Sequence, residues 1–130
     1  MADRVLTKKQ ALGMRAEQLA SDYLIERGYT VIARNWRRPE GELDLVVSAE
    51  GLCIFVEVRS RTGTERGHAL ETVDARKRAR VLRAARLFID EEKPTAAVFR
   101  FDVVGVTFAL DESPPELVHV EDAFQVGGTR

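Results

Sequence analysis

Apolar residues recur at helical spacing through Leu12, Ala16, Leu19, Ala20, Tyr23 and Leu24. Ahead of them, Thr7 and Gln10 stand in the Ser/Thr-x-x-Glu/Gln relation that opens a helix, and Gly28 supplies a stop. The pattern predicts a first helix over Lys8–Arg27. The period then changes. Tyr29–Asn35 is β-branched and apolar enough for a strand, and Arg37–Gly41 holds Pro39 and Gly41 and predicts a turn. Glu42–Val47 alternates cleanly, Ser48–Gly51 makes a tight connection, and Leu52–Ser60 is the next strand. Arg61–Ala69, polar and holding Gly63 and Gly67, predicts a loop. A second helix is expected over Glu71–Glu91, with Val73, Val81, Ala84, Ala85, Phe88 and Ile89 as its buried stripe and Pro94 as its end. Val98–Thr107 follows as a fourth strand, Asp111–Pro115 as a loop, and Leu117–Val120 as a short edge strand. Residues 1–7 and 127–130 are expected to fray.

The predicted order is α-β-β-β-α-β, with one more strand possible at the end. Strands joined by short turns are antiparallel, whereas the strand that follows the second helix can pair in parallel. The expected fold is a single α/β domain with a mixed four- to five-stranded sheet flanked by helices. The length of 130 residues suits one domain with one real core.

The hairpin Glu42–Arg59 carries the sharpest chemical expectation. A connection at Ser48–Gly51 pairs Val47 with Leu52, so Asp44 faces Phe55 and Glu42 faces Glu57. Leu43, Leu45, Val47, Leu52, Ile54, Val56 and Val58 then share one wholly apolar face. The opposite face carries Glu42, Asp44, Glu57 and Arg59 beside Val46, Cys53 and Phe55. Asp44 and Glu57 become diagonal neighbours, with Cβ atoms roughly 7–8 Å apart. Like charges held so close call for a cation, and a hard divalent ion bound by carboxylates, waters and phosphate fits. A solvated face with ordinary surface charges would produce the same residue pattern. Val46, Cys53 and Phe55 weaken that alternative, because acids on an apolar-lined face resemble the floor of a pocket.

Composition narrows the chemistry. The net charge of -1 predicts no partner. Its distribution is uneven: Arg59–Arg86 holds nine basic residues against three acidic ones, and the balancing acids lie towards the C-terminus. Such segregation suggests a side that faces a polyanion. Arg34, Arg37 and Arg38 could extend the patch, and Trp36 among them could stack on a base or pack in the core. A solvated helix face with local pairs such as Asp74–Arg78 is the alternative. The single cysteine, Cys53, is expected to be a core residue. His68 and His119 have no metal-binding spacing. Met1–Gln10 lacks an apolar signal-peptide core, and no stretch approaches the roughly 20 apolar residues of a membrane span. A cytoplasmic protein is expected.

Asp44, then Glu57-Val58-Arg59 after a short hairpin, resembles the D…(D/E)xK signature of restriction-endonuclease-like nucleases. The wider set resembles the bacterial YraN-like family over nearly the whole chain. It comprises Ala16-Glu17, Arg34-Asn35-Trp36-Arg37, Gly41-Glu42-Leu43-Asp44-Leu45, Phe55-Val56-Glu57-Val58-Arg59, Lys77 and Arg100-Phe101-Asp102-Val103-Val104. That family is similar in fold to archaeal Holliday-junction resolvases. The resemblance implies a Mg2+- or Mn2+-dependent endonuclease acting on DNA, branched or junction DNA included, or a nucleic-acid-binding relative that has lost catalysis. It implies Asp44 and Glu57 as metal ligands, Glu17 as an acid that completes the metal shell, and a homodimer for a junction substrate. Arg59 falls where the motif has lysine. An arginine stays protonated and cannot act as a general base, but it can hold a phosphate. Lys77, on the apolar stripe of the second helix, could substitute, or it could snorkel from the stripe's edge. Arg34, Arg37, Arg38, Arg61, Lys77 and Arg80 are the expected nucleic-acid contacts. A protein-interaction domain using the acidic C-terminal part is a third possibility.

Overall fold

A computed structural model of the chain describes residues 5–63 and 73–124. The expected loop lies outside the described residues from position 64 onward, with Arg66 and His68. So do Glu71 at the expected start of the second helix and most of the expected frayed ends.

Helix α1 spans Lys8–Glu26 and opens on the expected capping box, with Thr7 and Gln10 each satisfying the other's backbone N–H. Strands β1 (Thr30–Arg38), β2 (Gly41–Ala49) and β3 (Leu52–Thr62) follow. Helix α2 spans Ala75–Glu92, later than expected, because Asp74 takes the N-cap and accepts from the Lys77 N–H. Strands β4 (Val98–Phe108) and β5 (Glu116–Val120) complete the chain. The five strands lie in sequence order in one sheet, antiparallel except for the β3–β4 pair, which is parallel across the α2 crossover.

The sheet is covered on both faces. Ala16, Ala20 and Leu24 of α1 pack on Leu45, Val47, Ile54, Val56, Val104 and Val106. Val81, Ala84, Ala85 and Phe88 of α2 pack on Val46, Cys53, Phe55, Phe101 and Val103. The second face of the hairpin is therefore core beneath a helix, not the floor of an open pocket. Cys53 is buried there as expected, and burial pushes its thiol up to about 11.

Two features of the hairpin differ from expectation. The β2–β3 turn is shorter: Ala49 pairs with Leu52, and Glu50 and Gly51 form the whole loop at φ 36° and 84°. Two positive-φ residues are what the right-handed twist of a two-residue hairpin demands. The register thus moves by two residues, which keeps every β3 side chain on its expected face. The second difference lies in β2. Leu43 joins Val46 in the core under α2, and their β1 partners Trp36 and Ala33 also pack there. Residues three apart on a strand should face opposite ways. The alternation slips between them, where Asn35 has a φ of 48°. Leu43 is accordingly lost from the expected seven-residue apolar face.

Candidate active site

The slip in alternation is what shapes the site. Ladder pairing between β2 and β3 runs from Ala49↔Leu52 to Leu45↔Val56, and Asp44 and Glu57 are the next residues on their strands beyond its end. There the Asp44 carboxylate takes over the role of the backbone, its Oδ2 accepting from the Val58 N–H at 2.8 Å. β2 is thus held to β3 by a side chain at the point where the strands part.

The two acids have different surroundings. Glu57 faces α2 and is 1% exposed. Burial, then the charge of Asp44, raises its carboxyl to about 8, against the downward pull of Lys77. Lys77 Nζ stands 3.3 Å from Glu57 Oε1, yet neither Glu57 oxygen has a well-formed hydrogen bond among the described residues. Asp44 is partly exposed. Burial raises its carboxyl too, while the Val58 N–H, Lys77 and Arg59 pull it down. Arg59 is half-buried and lies two residues beyond Glu57 on β3.

Glu17 reaches this group from α1. Burial and the charge of Asp44 raise its carboxyl, and a hydrogen bond from Asn35 opposes them. No three His, Cys, Asp or Glu side chains among the described residues gather tightly enough to form a metal cage unaided. Glu17 therefore joins the pair through charge. It also lines an open groove of about 500 Å³ with Gln10, Met14, Asn35 and Arg37.

The basic residues divide sharply. Arg38 is spent internally: its guanidinium grips Glu91 of α2 at 2.6 Å and lies 4.0 Å over Trp36. Trp36 in turn packs edge-on against Phe88 at 5.4 Å, so it is a core residue. Arg37 pairs with Glu42 at 3.3 Å. Arg34 is exposed on β1 and Arg61 half-exposed on β3. Arg76, Arg78, Arg80, Arg83 and Arg86 are all exposed on α2. None of these five is within ion-pair distance of an acid among the described residues, and the local Asp74–Arg78 pair does not form. Arg76, Arg80 and Arg83 share a stripe at i, i+4, i+7 that flanks Lys77.

Sequence reasoning missed a second polar cluster. Asp102 is fully buried and accepts from Arg100 Nε and Nη2 at 2.9 Å each, and from the Asp122 N–H at 2.9 Å. His119 Nε2 lies 2.8 Å from its Oδ2. Burial alone would raise this carboxyl, but His119, Arg100 and the Asp122 N–H together hold it below the ordinary range. The Arg-x-Asp spacing on β4 was the available signal, since residues two apart share a face. Every Asp102 oxygen is satisfied, in contrast to Glu57, so this cluster is a structural clamp joining β4 to β5.

Fold and site together define a small single-domain α/β protein with a carboxylate pair where two central strands part, beside a helix that exposes a row of arginines. The chain belongs to the uncharacterised protein family UPF0102, whose model matches residues 16–106; this is the YraN-like family that the sequence motifs resembled. A UPF0102 protein of Pseudomonas aeruginosa (strain LESB58) is 42% identical over 125 residues, covering 95% of this chain and 98% of its own. One from Clavibacter michiganensis subsp. michiganensis is 41% identical over 109 residues, covering 84% and 92%. One from Pelotomaculum thermopropionicum is 40% identical over 116 residues, covering 89% and 97%. No described helix is long and apolar enough to cross a membrane.

Proposed function

We propose that this chain is a divalent-metal-dependent phosphodiesterase acting on nucleic acid, with DNA, branched or junction DNA included, as substrate and the cytoplasm as its place of work. The observation that carries the proposal is the buried Glu57 carboxylate, which has the Lys77 ammonium at 3.3 Å but no well-formed hydrogen bond among the described residues, and which feels the charge of Asp44. Buried polar atoms are nearly always satisfied, and an unsatisfied one asks for a missing partner. An oxygen-liganded cation answers that need for both acids at once. Magnesium and manganese suit such a donor set, because one or two carboxylates suffice when water and phosphate fill the remaining positions. Asp44 and Glu57 would hold the ion, with Glu17 behind Asp44. Bound there, it supplies Lewis-acid polarisation of a phosphoryl oxygen.

The chain's own cations do the rest. Arg59 stays protonated and stabilises developing negative charge on the phosphate. The exposed arginines of α2 hold the nucleic-acid backbone without reading its sequence. A junction substrate presents two scissile strands, so a symmetric homodimer would act on it.

The test is incubation of the purified chain with junction, flap, single- and double-stranded substrates plus magnesium or manganese. Cleavage that disappears in Asp44→Ala is expected. No cleavage of any substrate, or cleavage that survives Asp44→Ala, rejects the proposal. Arg59 in the lysine position favours a second reading, a nucleic-acid-binding protein with impaired catalysis. Under that reading the wild type binds in a salt-sensitive way but barely cleaves, and Arg59→Lys sharply raises cleavage.

A further inference from the structure

Lys77 interrupts the apolar stripe of α2, four residues after Val73 and four before Val81. A lysine at the edge of such a stripe ordinarily lays its stem on the core and lifts its ammonium into water. Here the ammonium turns the other way. Nζ stands 3.3 Å from an oxygen of Glu57, with the lysine side chain 27% exposed and the glutamate side chain 1% exposed.

Gly41 allows that reach. A Cβ at Gly41 would stand 2.6 Å from the Arg80 carbonyl oxygen and 3.4 Å from the Ala84 Cβ. Any side chain there would hold α2 away from the start of β2. Arg80 is three residues along α2 from Lys77, and Gly41 is three residues along β2 from Asp44. A glycine on the strand and a lysine on the helix therefore set one distance, that between the α2 ammonium and the acid pair.

We propose, on the basis of the nuclease reading above, that Lys77 is the site's positioning ammonium: delivered from α2, it orients Glu57 and meets the incoming phosphate. Arg59 cannot replace it. A guanidinium is a planar fork suited to gripping one anion, whereas an ammonium is a compact point charge whose three donors can serve a carboxylate and a phosphate together. The lysine that the nuclease signature places on the strand, two residues after the second acid, is here supplied by a helix.

The experiment uses the full chain, with two measurements on each variant: cleavage in Mn2+ and binding of Mn2+ alone by calorimetry. Lys77→Met is expected to lower cleavage by about 100-fold or more. It should keep Mn2+ binding, which Asp44→Ala loses. Arg59→Lys added to Lys77→Met returns a lysine to the strand and is expected to recover at least about tenfold of the lost rate. Lys77→Arg keeps the charge and the fold, and is expected to lose about tenfold because the fork does not replace the point charge. A wild type and Lys77→Met that cleave alike overturn the inference and leave the nuclease reading standing. So does a fully active Lys77→Arg, which also decides the matter if Lys77→Met does not fold. Loss of Mn2+ binding in a folded Lys77→Met overturns it as well. A wild type that cleaves nothing overturns both proposals.

Discussion

Glu57→Gln should make this protein more stable, although it removes a residue from the centre of the site. Glu57 is 1% exposed, and its carboxyl is raised from the ordinary 4.5 to about 8. A carboxyl whose folded-state value is raised supports folding fully at low pH and loses that support as pH climbs. At pH 7 folding must place a proton on a group that is ionised in the unfolded chain. At about 1.4 kcal/mol for each pH unit above the ordinary value, that costs about 3 kcal/mol, rising to about 5 kcal/mol above pH 8. Glutamine has nearly the shape of the protonated acid and avoids this cost. The raised value already contains the pull of Lys77, which faces a neutral side chain at pH 7 in both proteins. The net gain at pH 7 is therefore about 3 kcal/mol, or about 10 °C in Tm for a domain of this size. Urea denaturation followed by circular dichroism at pH 4, 7 and 8.5 measures it. The gain should be absent at pH 4, where the carboxyl is protonated whether folded or not, and should widen with pH. Millimolar Mn2+ should narrow it, since a bound cation stabilises the wild type alone. A variant no more stable than wild type at pH 7, or equally advantaged at pH 4, would refute the reasoning.

The Asp102 clamp predicts the opposite behaviour. Asp102→Asn should destabilise by about 3 kcal/mol at pH 7, because the largely buried Arg100 keeps only the exposed Glu121, at 3.8 Å, as a counter-charge among the described residues. The folded-state carboxyl lies below its ordinary 3.8, so its contribution is present above that pH and is lost as pH falls through the lower folded value; the gap between variant and wild type in urea titrations should shrink in that acid range. Gly41→Ala should cost about 1–3 kcal/mol by pushing Arg80 and α2 outward, and in the same denaturation assay should exceed an alanine placed at Gly13, where a Cβ meets nothing within 4 Å. Arg80→Ala and Arg83→Ala should each weaken nucleic-acid binding and lower the slope of log affinity against log salt by about 1. Arg38→Ala, whose guanidinium is held by Glu91, should leave that slope unchanged.

Much of the fold was legible because each signal was local. The Thr7–Gln10 box, the helical apolar spacing of α1 and the alternation of β3 each depend on a few neighbouring residues, and each reappears in the structure. The β2–β3 register differs by two residues from the one that a Ser48–Gly51 connection predicts, because Glu50 does not advertise a positive φ. The difference leaves the faces of β3 as predicted, since an even shift preserves faces. The slip at Asn35 was invisible, since it cancels between β1 and β2 and leaves both patterns apolar. The start of α2 falls later than the pattern predicts because Asp74 caps it, and the apolar spacing alone does not say which residue caps.

The site itself was half legible. Two acids on facing strands could be found by alternation, but their unequal surroundings could not, because burial of Glu57 is decided by α2, which lies far along the chain. Lys77 shows the same limit from the other side. Its spacing placed it on the stripe facing the sheet, yet spacing is blind to which way an ammonium turns. That direction follows from a glycine, Gly41, thirty-six residues earlier, whose missing side chain lets the helix sit close. The acids mark a site only when this approach is included, because it is the docking of α2 that sets the Lys77 ammonium 3.3 Å from Glu57. The helix that buries Glu57 and raises its carboxyl also carries the charge that offsets part of the cost. A substitution that moves α2 must therefore change both effects together, and that coupling separates a site built by docking from one built by the hairpin alone.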